Sequence, residues 1–432
     1  MTFALGVVVF ALGILIAVGL HEAGHFWTAR WFGMKATRFF IGFGPTIFAF
    51  KRKGVEYGLK ALPFGAFVKI VGMTPNEEDV DPETGKPGSD DPRAMWRYPV
   101  WKRTIVMAAG SITHFALALV TLWVLFSFVG IPDVTKANQV PVRVGAISQC
   151  VSPTYVVDPQ TKAQKPCDPA KDPKSPAAQL GLQPGDIILS IDGHAIGGNQ
   201  ALRDELKDDV GQTVTVQYKR GDQTLSGTAL IPEAQRLKLG ITDKTPDQIT
   251  PDDLERGGML GISVDIRSSD LPVLRYGPAG GVGQTASATA TLVERTFESF
   301  KAIPGRIPNL FKAILGEPRD PNTPVSVVGA SRIGGELFAL GDWPTLLSLF
   351  ATLNLFFGIF NLFPLLPMDG GHIAIAWFER IRSFIAARMG RPDPGRVDYY
   401  KLAPITLGVI GVLGVFVLLT MTADFVNPIT LK

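Results

Sequence analysis

The sequence predicts an α-helical integral membrane core of four transmembrane helices with a membrane-associated β-hairpin, joined to one extracytoplasmic α+β domain. Three observations predict it. Four apolar runs, residues 3–26, 105–129, 346–366 and 402–421, each approach the roughly 20 residues a helix needs to cross a bilayer. Between the first two runs lies a Gly- and aromatic-rich stretch without helical period, and between the second and third lies a long polar stretch. The 432 residues, 46% hydrophobic and 19% charged, suffice for two or three domains. A net charge of +3 is too slight to point to nucleic acid.

The first run carries no charge from Phe3 to Leu20 and closes on His21-Glu22-Ala23-Gly24-His25. On a helix His21 and His25 share one face and can bind one zinc ion. Glu22, about 100° around the axis, can reach a water at the metal instead of the metal itself. Zinc lowers the pKa of such a water and a carboxylate takes its proton, which is a metalloprotease constellation. The bland alternatives are a chance match on a surface helix or a pair of core histidines. Inside a span they weaken, because ionisable groups at that depth are costly and mark function. No Lys or Arg precedes the run, and its end holds the histidines, so a retained helix is expected instead of a cleaved signal.

Basic residues cluster after the first run (Arg30, Lys35, Arg38, Lys51, Arg52, Lys53, Lys60) and before the last (Arg380, Arg382, Arg388, Arg391, Arg396). By the positive-inside rule both segments face the cytoplasm. Both termini and the segment between the second and third spans are then outside. Cys150 and Cys167 fall in that outside segment, where a disulfide is permitted; two unpaired thiols are the other reading.

Residues 47–50 and 55–62 read as strands around a Lys51-Arg52-Lys53-Gly54 turn, with Val55, Tyr57 and Leu59 alternating with Glu56, Gly58 and Lys60. Such a hairpin cannot show an open edge to lipid. Residues 74–91, acidic and rich in Pro and Gly, read as a loop. His114 in the second span is a third possible metal ligand, though a lone intramembrane histidine more commonly hydrogen-bonds a neighbouring helix.

Residues 141–267 read as a separate soluble domain. The Gly185-Asp186 turn, the strand 187–191 and the Asp192-Gly193 turn resemble a PDZ domain, a module that binds extended peptides by strand addition. The candidate peptide-binding loop is Leu260-Gly261-Ile262, which follows the other strands and suggests a circularly permuted order. His194 reads as solvated. Residues 287–315 are mildly amphipathic and broken by Pro304 and Pro308. They fit a helix lying on the membrane or over the core, or equally an ordinary packed helix.

The third run ends Asn361-Leu-Phe-Pro364-Leu-Leu-Pro367-Met-Asp369-Gly370-Gly371-His372. The prolines loosen the helix and the glycines permit a tight turn, so Asp369 is presented from irregular backbone near the membrane face. A site with two histidines wants a third protein ligand and an open position. Asp369 is the best candidate; it can also be read as the N-cap of a following helix, and His372 competes as ligand. Asn354 and Asn361 place amides on one face of the third span, for helix–helix bonding or, at Asn361, for a bound peptide.

The His21-Glu22-Ala23-Gly24-His25 signature, the Asn361…Pro364…Asp369-Gly370-Gly371 pattern and the intervening PDZ-like domain together resemble the site-2 protease family of intramembrane zinc metalloproteases, over nearly the whole chain. Gly42-Phe43-Gly44-Pro45 and residues 325–329 also look like family elements, and the single PDZ-like module is similar to actinobacterial members. The resemblance implies that His21, His25 and Asp369 hold Zn2+ and that Glu22 is the general base. It implies that Asn361 binds substrate and that the hairpin, with Tyr57 and Leu59, pairs with unwound substrate. It also implies membrane-spanning substrates such as anti-sigma factors, cut after a site-1-type protease has removed the outer domain. One departure stands: relatives tend to have Gly-Pro and then Asn in the second span, where this chain has Gly110-Ser111 and His114. Two rivals are a membrane-anchored protease with a soluble glutamate ligand and a PDZ scaffold with a non-catalytic zinc site. The expected division is 1–130, 141–267, a linker at 268–340 outside the cell, and 341–432.

Overall fold

The computed structural model describes residues 1–73, 91–158, 164–241, 245–266 and 270–431, so the acidic loop expected at 74–91 lies, but for Asp91, outside the described residues. In chain order the elements are α1 (Thr2–Trp31), β1 (Ala36–Arg52), β2 (Val55–Ile70) and α2 (Val100–Val124), which runs on through a π turn to Val129. Then come β3 (Ile131–Pro132), β4 (Val144–Ile147), α3 (Pro176–Gln179), β5 (Ile187–Ile191), β6 (His194–Ala195), α4 (Asn199–Asp208), β7 (Thr213–Arg220), β8 (Gln223–Leu230), β9 (Glu233–Leu237), β10 (Leu254–Gly258), β11 (Ile262–Val264) and β12 (Val273–Leu274). Five helices close the chain: α5 (Gly277–Ile314), α6 (Val327–Leu340), α7 (Trp343–Asn361), α8 (Asp369–Arg388) and α9 (Tyr399–Val426). Two compact units result, Met1–Gly130 with Arg275–Lys432, and Ile131–Leu274.

In the first unit, α1, α2 with its π turn, α7 and α9 are long and apolar enough to cross a membrane. Apolar side chains gain little from meeting one another in lipid, so such helices associate through close packing and polar bonds. The close packing comes from glycines. A Cβ on Gly24 would sit 2.7 Å from the Ala109 carbonyl of α2, and Gly6 and Gly335 bring α1 and α6 together in the same way. The polar bonds come from His114 Nδ1 and Asn354 Oδ1, 2.9 Å apart between α2 and α7. At α9, Asp424 pairs with Arg319 at 2.7 Å and accepts the Ser326 N–H at 2.6 Å, fixing the start of α6.

Residues 275–340, expected as a linker, instead form α5 and α6 and cluster with the spans. Residues 287–315 fall in or just after α5 and pack on the spans, as a helix over the core or an ordinary packed helix would: the Phe300 ring lies 5.0 Å from Phe356 and 5.2 Å from Phe363. Nor do Pro304 and Pro308 break α5. They stand four residues apart on one side, so the two lost hydrogen bonds fall together and the opposite side of the ladder continues.

The hairpin is longer than expected and folds on itself. Phe39 pairs with both Val68 and Tyr57, and Tyr57 with both Phe39 and Phe50. Four segments therefore lie side by side in the order 66–70, 36–41, 55–60, 46–52. Gly42, Gly44 and Gly65, all at positive φ, let the strands curl back.

In the second unit the sheet order is β6-β5-β7-β8, with β4 paired to β11 and β9 to β10. Its core gathers Val144, Ile188, Ile191, Leu202, Leu206, Val214 and Val216, the alternate positions of β7 among them. Cys150 and Cys167 are disulfide-bonded, the first of the two readings.

Candidate metal centre

His21 and His25 project from one face of α1, four residues apart, and both are buried. The third group arrives from the far end of the chain. After α7 ends at Asn361, a short turn leads to Asp369, the first residue of α8; the N-cap is Met368, and no side chain caps the helix. So the carboxylate is not spent on capping. Any Cβ at Gly370 would meet the Leu362 and Phe363 backbone, and any at Gly371 would meet that of Leu365 and Leu366. Glycine alone lets α8 start this close to the turn. Arg103 of α2 holds Glu379 at 3.3 Å, and the Trp377 indole N–H donates to Thr104 Oγ1 at 3.0 Å, which ties α8 to α2.

These constraints bring three atoms together. His21 Nε2 and His25 Nε2 are 3.1 Å apart, and Asp369 Oδ2 is 3.3 Å from each. His25 Nδ1 faces the Val106 carbonyl at 2.7 Å, so its proton sits there and Nε2 presents a bare lone pair. That lone pair and a carboxylate oxygen are both acceptors, and among the described residues neither Asp369 Oδ2 nor His21 Nδ1 has a hydrogen-bond partner. Such convergence is repulsive without a cation. Tetrahedral zinc with bonds of about 2.0–2.2 Å separates its ligands by about 3.3 Å. The separations here match, and the donor set of two imidazoles and a carboxylate suits the same metal.

Space is reserved as well. Gly110 of α2 faces the three atoms, and a Cβ there would lie 2.5 Å from His25 Nε2 and 2.6 Å from His21 Nε2. The residues present fit a zinc ion.

Glu22 points elsewhere than the two histidines, and its Oε2 accepts the Val68 N–H of β2 at 2.9 Å. The curled sheet thus anchors the general-base candidate through its edge segment. His372 lies outside the group of three, and its Nδ1 is 3.3 Å from the Tyr399 hydroxyl. The His114 ring lies 5.0 Å from that of His21, tilted by 43°, while bonding Asn354, so it supports the site from behind. Asn361 is half-buried at the end of α7, with no side-chain hydrogen bond among the described residues. Tyr57 and Leu59 lie in an inner segment whose backbone is paired on both sides. Their expected main-chain pairing with substrate is already taken, so only their side chains are available. In the second unit, Gly261 holds φ 78° and gives its carbonyl to the Ser148 N–H, while Ile262 pairs with Ile147.

Sequence reasoning missed Gly110, Val68 and Val106 as parts of the site. The latter two act through backbone atoms, which leave no residue signal. Gly110 does leave one, since a glycine inside a helix costs about 1 kcal/mol and wants a reason.

The profile of peptidase family M50 matches residues 9–391. Curated relatives similar to the chain include zinc metalloprotease Rip1 of Mycolicibacterium smegmatis, 35% identical over 435 residues, and that of Mycobacterium tuberculosis, 35% over 434, each covering all of both chains. A putative zinc metalloprotease of Brucella suis is 28% identical over 416 residues, 94% of this chain and 93% of its own.

Proposed function

The chain belongs to peptidase family M50 and is an intramembrane zinc metalloprotease; from that premise we propose how its residues divide the work and what it cuts. The observation that carries the reading is the meeting of His21, His25 and Asp369 within 3.3 Å of one another. These three hold zinc, which when bound supplies a Lewis acid that makes water a nucleophile near neutral pH and polarises the scissile carbonyl. Glu22 is the general base. Its Oε2 is fixed by the Val68 N–H, so the carboxylate is oriented to take a proton from the attacking water and pass it to the leaving amine. His25 is locked as the Nδ1–H tautomer by the Val106 carbonyl, which keeps its Nε2 a donor of electrons.

A membrane-spanning substrate must unwind before its amide is open to attack, and its freed backbone groups then need partners. The edge segment 66–70 supports strand addition there: one side pairs with 36–41, and Val68 on the other side already reaches Glu22. This moves the pairing role from Tyr57 and Leu59 to the edge beside the base. The free amide of Asn361 suits a bound peptide backbone. The second unit is PDZ-like in this reading, with Gly261 and Ile262 opening a strand, β11, that has β4 on one side only. Substrates are transmembrane proteins of the anti-sigma type, cut after a site-1-type protease has acted. Both termini and the second unit face outward; the hairpin and basic segments face the cytoplasm.

Glu22→Gln retains zinc by elemental analysis and loses cleavage of a transmembrane model substrate by at least ~100-fold, as general bases contribute. His21→Ala and Asp369→Ala lose the metal. An active Glu22→Gln protein refutes the base assignment.

A further inference from the structure

At the basic end of α1 a cavity of about 420 Å³ lies between the helix and the turn of the hairpin. Three cations line it, Arg30, Arg52 and Lys53, and among the described residues no acidic one does. None of the three has an ion pair or side-chain hydrogen bond among the described residues; Arg30 only lies over the Phe26 ring, 5.5 Å from its centroid. The walls are aromatic, with Tyr57 stacked 5.4 Å from Phe50 and set edge-on 5.8 Å from Phe26. Trp27 on the rim is 61% exposed, and Trp31, one turn on, is 82% exposed. Lys53 keeps a φ of 50°, a left-handed turn position that glycine or asparagine would take more easily.

Three like charges lining one cavity, with no counter-charge among the described residues, repel one another, so the arrangement asks for an anion. Its setting says which. The cavity opens where a bilayer-spanning helix ends, among indoles of the kind that sit at headgroup level. The leaflet on a basic, cytoplasmic face is also the one that carries anionic lipid. A transmembrane substrate argues the other way, because its own flanking residues on that face are basic as well and would be repelled. We propose that Arg30, Arg52 and Lys53 form a binding site for the phosphate headgroup of an anionic phospholipid. The hairpin whose edge holds Glu22 would thereby be docked at its turn onto the membrane surface.

The test uses the full-length, zinc-loaded protein in nanodiscs of phosphatidylcholine with one-fifth phosphatidylglycerol. Lipids retained on release are counted by native mass spectrometry, a readout independent of proteolysis. Phosphatidylglycerol enriched over its share, with the enrichment lost in Arg30→Gln/Arg52→Gln/Lys53→Gln so that retained lipid returns to the bulk ratio, supports the site, since each basic group near such a surface contributes several-fold. The charge-conserving Arg52→Lys/Lys53→Arg protein should keep the enrichment, and zinc content reports that each variant is folded. No enrichment in the native protein, or enrichment undiminished in the triple variant, overturns the proposal. Displacement by millimolar inorganic phosphate overturns the lipid source in favour of a free anion, and displacement by an acidic peptide overturns it in favour of a protein partner.

Discussion

At the scale of single residues, the metal ligands are fixed by what surrounds them more than by their own freedom. His25 can turn its Nε2 inward only because the Val106 carbonyl holds the other nitrogen, and the ion has room only because residue 110 has no side chain. We expect Gly110→Ala to lower zinc occupancy at least ten-fold at equal protein, with cleavage falling in proportion; full occupancy by elemental analysis would show that the helices can part by the width of a methyl group. The histidines and Glu22 are legible in the sequence because a helix turns spacing into direction. Asp369 is legible only as a candidate, since an acid before a helix caps as readily as it ligates. What separates the roles is that Met368 stands at the cap position and the carboxylate faces two imidazoles.

At the scale of elements, the second span carries a buried imidazole at His114, and α7 supplies its partner. His114 and Asn354 hydrogen-bond in an apolar setting, where interhelical bonds measure about 0.6 kcal/mol on average and about 1.7 at most. A double-mutant cycle of His114→Ala and Asn354→Ala, read by unfolding of the detergent-solubilised protein, should give a coupling within that range. The cycle would come out at zero if the two side chains merely coexist. The hairpin shows where pattern reading runs out. Alternation identifies 55–60 as a strand, but a period of two says nothing of how many neighbours a strand has. Glycines 42, 44 and 65 decide that, by letting both strands double back. The prolines of α5 mislead for a related reason: each removes one bond locally, while Phe300, one turn before the first of them, packs the helix on α7.

At the scale of the whole molecule, the chain is two units with different sources of stability. The Ile131–Leu274 unit relies on an aqueous hydrophobic core and buried ion pairs. Asp186 accepts two bonds from the Arg220 guanidinium, at 2.7 and 2.9 Å, and these hold its carboxyl below the usual range. Its contribution is therefore full above the unfolded value near about pH 4 and lost as pH falls through the lower folded value. His194 is shifted the other way, upward, by its hydrogen bond to Glu205. That contribution is full below about pH 6.5 and lost as pH rises through the raised folded value. Protection of residues 187–191 and 213–220 against hydrogen exchange, taken relative to the intrinsic rate at each pH, should thus be greatest at mildly acidic pH in the full chain. Asp186→Asn should destabilise this unit by about 2 kcal/mol and flatten the acid limb, because an arginine loses its paired acceptor. Exchange unchanged below pH 4 in that variant, relative to the native protein, would contradict the assignment.

Hydropathy and helical period are properties of neighbours along the chain, so the residues alone carried the four apolar runs, the α+β segment between the second and third of them, and the helix with two histidines on one face. Only the tertiary structure brings Asp369 to histidines nearly 350 positions earlier, sets Gly110 against both imidazoles, and gives Glu22 the Val68 N–H as its partner. Those facts depend on which backbones approach within a few ångströms. Only packing sets that distance, and one sequence carries no measure of it.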